Sequence, residues 1–151
     1  MKISAAQLPK HLQASLAPFY FFIGEEGLLV QEALALLIQS AKKQGFQTRP
    51  SHELSKNEHW EEAAFTLNAR SLFAERELII LRLTGGKIME AAEKYFSRYL
   101  ERPDPQKILV FINEKLTPAQ QNSVWLKKFN LSGVIVQILP IKTAQFPLWL
   151  K

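Results

Sequence analysis

The sequence predicts a three-layer α/β domain in which a mostly parallel five-stranded sheet carries helices on both faces. Strand patterns alternate with amphipathic helix patterns along the chain, which is typical of parallel strands joined by crossover helices. Several of the strand patterns are unbroken apolar runs, as expected for strands that are covered on both faces. With 151 residues the chain is also long enough to bury one sizeable core.

The first half of the chain contains two strand patterns and three helix patterns. The clearest strand lies between Pro18 and Gly24, where every residue is aromatic or β-branched. The helix after it carries one apolar stripe and ends near Gly45, with Lys42 and Lys43 in its last turn. In chain order we expect a helix over residues 5–15, interrupted by Pro9, a strand over 19–23, a helix from 25 to about 45, a strand over 47–53 and a helix over 57–68.

The second half of the chain repeats this alternation. Thr117-Pro118 marks a helix start with proline at the first helical position. We expect a strand over residues 76–83, a helix over 87–100, a strand over 107–112, a helix over 117–129 and a strand over 134–139. Residues 1–140 are assigned to this domain and residues 141–151 to the start of a truncated second domain. The reason is that the apolar residues of the tail, Phe146, Leu148, Trp149 and Leu150, have no further chain to pack on.

The composition excludes several classes of site and of protein. The chain has no cysteine, which rules out disulfides, thiolate metal sites and cysteine nucleophiles. Its first four residues lack an apolar signal core, and its apolar runs, such as residues 78–81, are far shorter than a membrane span. We therefore expect a cytoplasmic protein without a membrane segment.

The net charge of +5 makes nucleic-acid binding a function to consider. The basic residues are spread along the whole chain, and the largest local groups are Lys42-Lys43 and Lys127-Lys128. Each pair is placed by the pattern in the last turn of a helix, where the helix dipole favours a cation whatever the function. A basic nucleic-acid-binding module therefore remains an alternative, and solvated helix ends are the simpler interpretation.

The turn after the first strand pattern is the natural place for a ligand in this fold class. A phosphate loop needs a lysine and a serine or threonine after its last glycine, but Gly27 is followed by Leu28 and Leu29. Glu25 and Glu26 would compete with phosphate groups for the positive end of the next helix. The simpler interpretation is that Gly24 lets the chain turn and the two glutamates cap the helix. We expect neither nucleotide nor another cofactor here, although a P-loop-type enzyme with a degenerate loop stays the rival hypothesis.

No other residues form a credible catalytic or metal site. The histidines, His11, His52 and His59, do not have the spacing of metal ligands, and we expect them to have surface roles. None of the serines lies in a Gly-x-Ser-x-Gly nucleophile elbow. The sequence therefore predicts a domain with no intrinsic catalytic activity, no catalytic residues and no bound metal.

The connector between the helix that ends near Asn68 and the strand that begins at Arg76 has two large apolar residues at its centre. These are Leu72 and Phe73, with Ser71 and Ala74 on either side. They either fold back onto the edge of the sheet or project as a docking plug, because an exposed aromatic and aliphatic pair flanked by charges is typical of protein-binding hot spots. The pattern alone does not decide between these two possibilities.

Four stretches of the chain resemble the delta subunit family of the bacterial DNA polymerase III clamp loader. They are Tyr20-Phe21-Phe22-Ile23-Gly24 with residues 28–32, Ser71-Leu72-Phe73-Ala74-Glu75-Arg76, Leu116-Thr117-Pro118-Ala119-Gln120-Gln121-Asn122 with Trp125, and Gln145-Phe146-Pro147-Leu148-Trp149. The second and third are fairly specific in combination, and the four occur in the family's order over nearly the whole chain. The resemblance implies a RecA-like (AAA+) domain without ATPase activity.

The resemblance also implies partners. In this family Leu72 and Phe73, flanked by Ser71 and Ala74, insert into the hydrophobic pocket of the ring-shaped beta sliding clamp, and the domain helps to hold the ring open. Family members continue into a lid domain and a helical collar that joins the other loader subunits, gamma/tau and delta prime. The resemblance therefore implies contact with those subunits and with primed DNA only through the complete complex.

Overall fold

The computed structural model describes residues 1–24, 27–48, 52–54, 57–68, 76–83, 88–114, 120 and 122–138. Seven strands and five α-helices lie wholly within these ranges. They are β1 (Lys2–Ser4), α1 (Leu8–Ala14), β2 (Phe19–Ile23), α2 (Gly27–Lys43), β3 (Phe46–Thr48), β4 (His52–Leu54), α3 (Asn57–Asn68), β5 (Arg76–Leu83), α4 (Ile88–Glu101), β6 (Lys107–Asn113), α5 (Val124–Ser132) and β7 (Val134–Gln137). A short 3₁₀ helix, Ala5–Gln7, leads into α1.

The strands form one sheet in the order β1-β7-β2-β6-β5-β3, with β4 pairing with β5 further along that strand. Each pairing described is parallel, so the predicted α/β class and parallel sheet are confirmed. The count of five strands was wrong because β1 was missed and the predicted strand over residues 47–53 is two short strands. Pro50 lies between these two strands in the sequence, and proline has no N–H to donate to a ladder.

Two apolar clusters cover the two faces of the sheet and confirm the three layers. Alternate residues of β2 point to opposite faces, because side chains alternate along a strand. Phe19 and Phe21 join the cluster beneath α3, α4 and α5, whereas Tyr20 and Phe22 join the cluster beneath α1 and α2. All four side chains are fully buried. The unbroken apolar run of β2 therefore reflects a central strand with helices on both sides.

The last helix differs from the prediction at its start. Within the described residues α5 begins at Val124, where the Ser123 hydroxyl accepts a hydrogen bond from the Leu126 amide at 3.2 Å and caps the helix. Ser123 itself has extended backbone angles, so one continuous helix over residues 117–129 is wrong. Lys127 and Lys128 consequently lie in the middle of α5 rather than in its last turn. The proposed helix start at Thr117-Pro118 and the tail with its domain boundary at residue 140 lie outside the described residues.

In the described ranges no helix combines the length and the apolar character that crossing a membrane requires.

Candidate functional site

In a parallel sheet all the strands point the same way. Their carboxyl ends therefore lie together, here called the carboxyl edge, and their amino ends lie together on the opposite side, here called the amino edge. The turn that follows β2 lies at the carboxyl edge, where ligands of α/β folds usually bind. The connector, residues 69–75, leads into the amino end of β5 at Arg76. Gly24 and Arg76, the described residues next to the two candidate regions, therefore lie at opposite edges of the sheet.

At the carboxyl edge, the backbone around Gly24 is already hydrogen-bonded within the sheet. The Gly24 amide donates to the Asn113 carbonyl at 3.1 Å, and the Ile138 amide donates to the Ile23 carbonyl at 2.8 Å. Gly24, Asn113 and Ile138 are all buried. A phosphate loop offers free backbone amides to its ligand, and the Gly24 amide is not available for that purpose.

The first turn of α2 has no side chain that suits a phosphate group or a metal. Helix α2 begins at Gly27, followed by Leu28, which is 68% exposed, and Leu29, which is half-buried. These leucines occupy the positions where a phosphate loop has its lysine and its hydroxyl residue. Glu25 and Glu26 lie outside the described residues. Among the residues the structure does describe, no group of three acidic or histidine side chains could hold a metal ion.

A small cavity lies near this edge, between α5 and the strands. It has a volume of about 90 Å³, and Ile23, Gln137 and Lys127 are among the residues that line it. Ligand pockets usually measure roughly 300–1,000 Å³, so this cavity is too small for a nucleotide. Among the described residues at the carboxyl edge, the side chains and the cavity that we find do not match those of a nucleotide site.

His11 is not the free surface residue that the sequence suggested. Its Nε2 lies 3.0 Å from the Tyr20 hydroxyl, which also accepts a hydrogen bond from the Ala17 amide at 2.9 Å. Burial, followed by the positive charge of the chain's N-terminus, lowers the pKa of His11 below its usual 6.5. Burial also raises the pKa of Tyr20 to about 12. The pair packs α1 against β2 and has no catalytic partner among the interactions described.

The predicted docking residues, Leu72 and Phe73 with Ser71 and Ala74, lie outside the described residues. Their two flanks are described. On one side α3 ends at Asn68, and Phe65, one turn earlier, is 77% exposed. On the other side β5 begins at Arg76.

Arg76 is fixed by contacts with the turn between α2 and β3. Its Nη1 donates to the Gln44 carbonyl at 2.7 Å, and its guanidinium carbon lies 5.6 Å from the centre of the Phe46 ring. The backbone of Arg76 also pairs with Phe46 in the sheet. An open groove of about 410 Å³ adjoins this contact and is lined in part by Pro103, Pro105 and Phe46. The amino edge therefore combines a fixed arginine with an open surface next to the connector.

Sequence reasoning missed the contacts of Arg76 and the backbone role of Asn113. Both interactions involve backbone carbonyl groups, and every residue has one, so they leave no pattern in the sequence. The only available signal was position. Arg76 is the first residue of a strong strand pattern after an unusual apolar connector.

Comparison with known proteins identifies the family. The DNA polymerase III delta subunit family matches residues 20–139. The chain is 26% identical over 149 residues to the DNA polymerase III subunit delta of Escherichia coli (strain K12), covering 99% of this chain and 43% of that protein. It is also 26% identical over 149 residues to the corresponding subunit of Buchnera aphidicola subsp. Acyrthosiphon pisum (strain APS), covering 96% of this chain and 44% of that protein.

A solved structure shows the same fold. The Bacillus subtilis DNA clamp loader delta protein superposes with a TM-score of 0.69 at 19% identity, covering 96% of this chain and 45% of that chain. This chain thus spans less than half the length of the relatives that it matches. Since the family match extends from the second residue of β2 to just beyond β7, the chain belongs to the DNA polymerase III delta subunit family.

Proposed function

We propose that this chain is the sliding-clamp-binding domain of a clamp loader delta subunit. It docks on the beta clamp through Leu72 and Phe73, flanked by Ser71 and Ala74, and helps to open the ring for loading onto primed DNA. The observation that supports this proposal most strongly is the family match over residues 20–139, because that range includes the whole connector. The absence of a catalytic function is part of the proposal.

The carboxyl edge of the sheet supports a binding role over an enzymatic one. A hydrolase of this fold class would need free amides, a lysine and a magnesium ligand in the turn after β2. Instead the Gly24 amide is bonded to Asn113, and Leu28 and Leu29 follow Gly27. These features favour a domain that acts as a scaffold, whose function lies in the surface that it presents.

Leu72 and Phe73 have the side-chain chemistry of a binding anchor. Burying one leucine or phenylalanine side chain in an apolar pocket contributes roughly 1.5–3 kcal/mol. Aromatic anchors in the centre of an interface often cost about 2–4 kcal/mol when they are truncated. Two adjacent apolar side chains on a short connector could thus supply most of the affinity for a clamp pocket.

The partners beyond the clamp belong to the larger protein. We propose contact with gamma/tau, delta prime and primed DNA only through the assembled loader, because this chain spans less than half of its relatives. Binding to DNA by this chain alone should be weak and sensitive to salt. The two lysine pairs lie on helices that cover opposite faces of the sheet. Lys42 and Lys43 end α2, and Lys128 on α5 lies 3.9 Å from Glu101.

Surface plasmon resonance on the immobilised cognate clamp tests the proposal. Phe73→Ala should weaken binding by roughly 30-fold or more, and the double variant Leu72→Ala/Phe73→Ala should nearly abolish it. The matched control is Leu28→Ala/Leu131→Ala, which removes two exposed leucines from α2 and α5 and should bind like the parent. A Leu72→Ala/Phe73→Ala variant that binds like the parent would contradict the assignment, and tight DNA binding without the clamp would favour the nucleic-acid alternative.

A further inference from the structure

We infer that Arg76 is a positioning residue, which holds the connector in the orientation that binds the clamp. This inference rests on the proposed function and adds a residue whose action on the clamp is indirect. Arg76 is the first residue after the connector and the first residue of β5. The contacts around Arg76 hold the point at which the chain enters β5 after the connector.

The Arg76 side chain reaches away from its own strand to the end of α2. Its hydrogen bond to the Gln44 carbonyl, at 2.7 Å, spans 32 residues of sequence. The guanidinium group lies over the Phe46 ring at 5.6 Å, within the range of a cation–π contact. Because the guanidinium group has partners on its own domain, we expect Arg76 to act on the clamp through the connector.

The group that accepts this hydrogen bond is itself held in place. The Gln44 amide donates to the Ala41 carbonyl and the Gly45 amide to the Lys42 carbonyl, both at 3.0 Å. Gly45 has a φ of +92°, a left-handed conformation that glycine adopts without strain and that commonly ends helices. The carbonyl end of a helix also attracts cations. Arg76 thus binds a turn whose own backbone amides are hydrogen-bonded to α2.

Glu77, the second residue of β5, is held by contacts on the opposite side of that strand. The Glu77 amide donates to the Gln106 carbonyl at 2.9 Å, and the Gln106 amide donates to Oδ1 of Asp104 at 2.9 Å. Glu77 is buried and pairs in register with Lys107 of β6. The first two residues of β5, which follow the connector, are therefore held on both sides. Arg76 has its contacts on the β3 side, and Glu77 has its contacts on the β6 side.

Holding the start of β5 in place matters because the connector must be ordered when it binds the clamp. Ordering side chains and loops at an interface reduces the affinity that the contacts provide, and a loop that is already restricted loses less freedom. Without the Arg76 contacts, the residues before β5 would have more conformations to lose on binding. We therefore expect the loss of Arg76 to weaken binding without removing any group that contacts the clamp.

The test uses the whole chain on the immobilised cognate clamp, with the melting temperature of every variant measured beside its affinity. Arg76→Ala should bind about 10-fold more weakly than the parent, while Arg76→Lys, which keeps a cation that can reach the carbonyl and the ring, should recover most of this loss. Phe46→Leu removes the ring but keeps a large apolar side chain, and should weaken binding about threefold. Lys127→Ala, which removes a cation on α5, is the matched charge control and should bind like the parent.

A double-mutant cycle tests whether Arg76 acts through its contact with Phe46. If Arg76 acts through Phe46, the variant Arg76→Ala/Phe46→Leu should bind no more weakly than Arg76→Ala alone. Parent-like binding by Arg76→Ala overturns the inference. It is also overturned if Arg76→Ala binds weakly while Phe46→Leu binds like the parent. A third contrary result is a loss of affinity that parallels the loss of melting temperature across all the variants. If Leu72→Ala/Phe73→Ala abolishes binding while Arg76→Ala binds like the parent, only this inference fails. A parent chain that does not bind the clamp refutes the proposed function as well.

Discussion

Gly24 and Ile138 approach each other so closely that a side chain on Gly24 has no room. A Cβ atom on Gly24 would lie 2.8 Å from the Cβ of Ile138 and 3.0 Å from the Ile138 carbonyl oxygen. Gly24 follows β2 and Ile138 follows β7, so this contact joins two neighbouring strands at the carboxyl edge. The requirement for glycine here is a close approach of two backbones, where the sequence had suggested freedom to turn.

Gly24→Ala should destabilise the domain by about 1–3 kcal/mol, because the new methyl group must displace Ile138 from its hydrogen bond with Ile23. Urea unfolding measures the change. Gly27→Ala is the matched control, since a Cβ at Gly27, the first residue of α2, meets nothing within 4 Å. Alanine is also the better helix former, so the control should be neutral or slightly stabilising. Equal stability of the two variants would contradict the close approach.

Acidification should weaken the domain through His11. Burial lowers the pKa of His11 in the folded chain below 6.5, so the unfolded chain binds more protons as the pH falls through that value. The stability that neutral His11 contributes is therefore fully present above about pH 6.5 and is lost as the pH falls toward the lowered pKa. Urea midpoints measured between about pH 7.5 and about pH 5 check the direction.

Two variants test the His11–Tyr20 pair, one for the titration of His11 and one for the hydrogen bond of Tyr20. His11→Gln removes the titrating group, so the difference in slope between parent and variant over this pH range measures the part that belongs to His11. Tyr20→Phe removes the hydroxyl that accepts from the Ala17 amide, and should cost about 1–3 kcal/mol at every pH. A parent and a His11→Gln variant with identical pH dependence would show that His11 does not contribute.

Nucleotide should not bind, even when the missing side chains are restored. Calorimetry of the parent with ATP and magnesium should give no saturable binding. The variant Leu28→Lys/Leu29→Thr supplies the lysine and the hydroxyl, but Phe22 occupies the place of the first glycine of a phosphate loop. Phe22 is fully buried, and the Gly24 amide is bonded to Asn113. The variant should therefore also fail to bind, and micromolar binding by either protein would reopen the enzymatic alternative.

The strands that could be predicted from the sequence are those covered on both faces. β2, β5 and β6 consist largely of buried apolar side chains, so their composition alone marks them. β1 is three residues long, with only its middle residue half-buried, and such a segment is too short to show a period. The start of α5 was missed because the Thr117-Pro118 signal is stronger than the single serine at position 123 that caps the helix.

The candidate site, too, could be predicted from the sequence only in part. The expectation that no nucleotide binds rests on side chains, since Leu28 and Leu29 stand where charged and hydroxyl groups are needed. The role that we propose for Leu72 and Phe73 rests on family resemblance, because apolar residues on a connector are equally compatible with packing inward. The Arg76 contact could not be predicted, since it depends on a backbone carbonyl 32 residues away in the sequence.

The thermal stability of the docking variant should separate a plug from a core residue. If Leu72 and Phe73 project from the connector, Leu72→Ala/Phe73→Ala should melt within a few degrees of the parent, because exposed side chains contribute little to stability. If they pack inward, each alanine should leave a cavity that costs about 2–5 kcal/mol.

Phe111 provides the reference for a core position. Its side chain is fully buried, and its ring centre lies 5.5 Å from those of Phe96 and Trp125 and 5.7 Å from that of Phe21. Phe111→Ala should cost about 3–5 kcal/mol, a loss of roughly 6–20 °C in melting temperature for a domain of this size. Differential scanning calorimetry of the three proteins gives the comparison. If Leu72→Ala/Phe73→Ala melts at as low a temperature as Phe111→Ala, then Leu72 and Phe73 belong to the core and are not the clamp anchor.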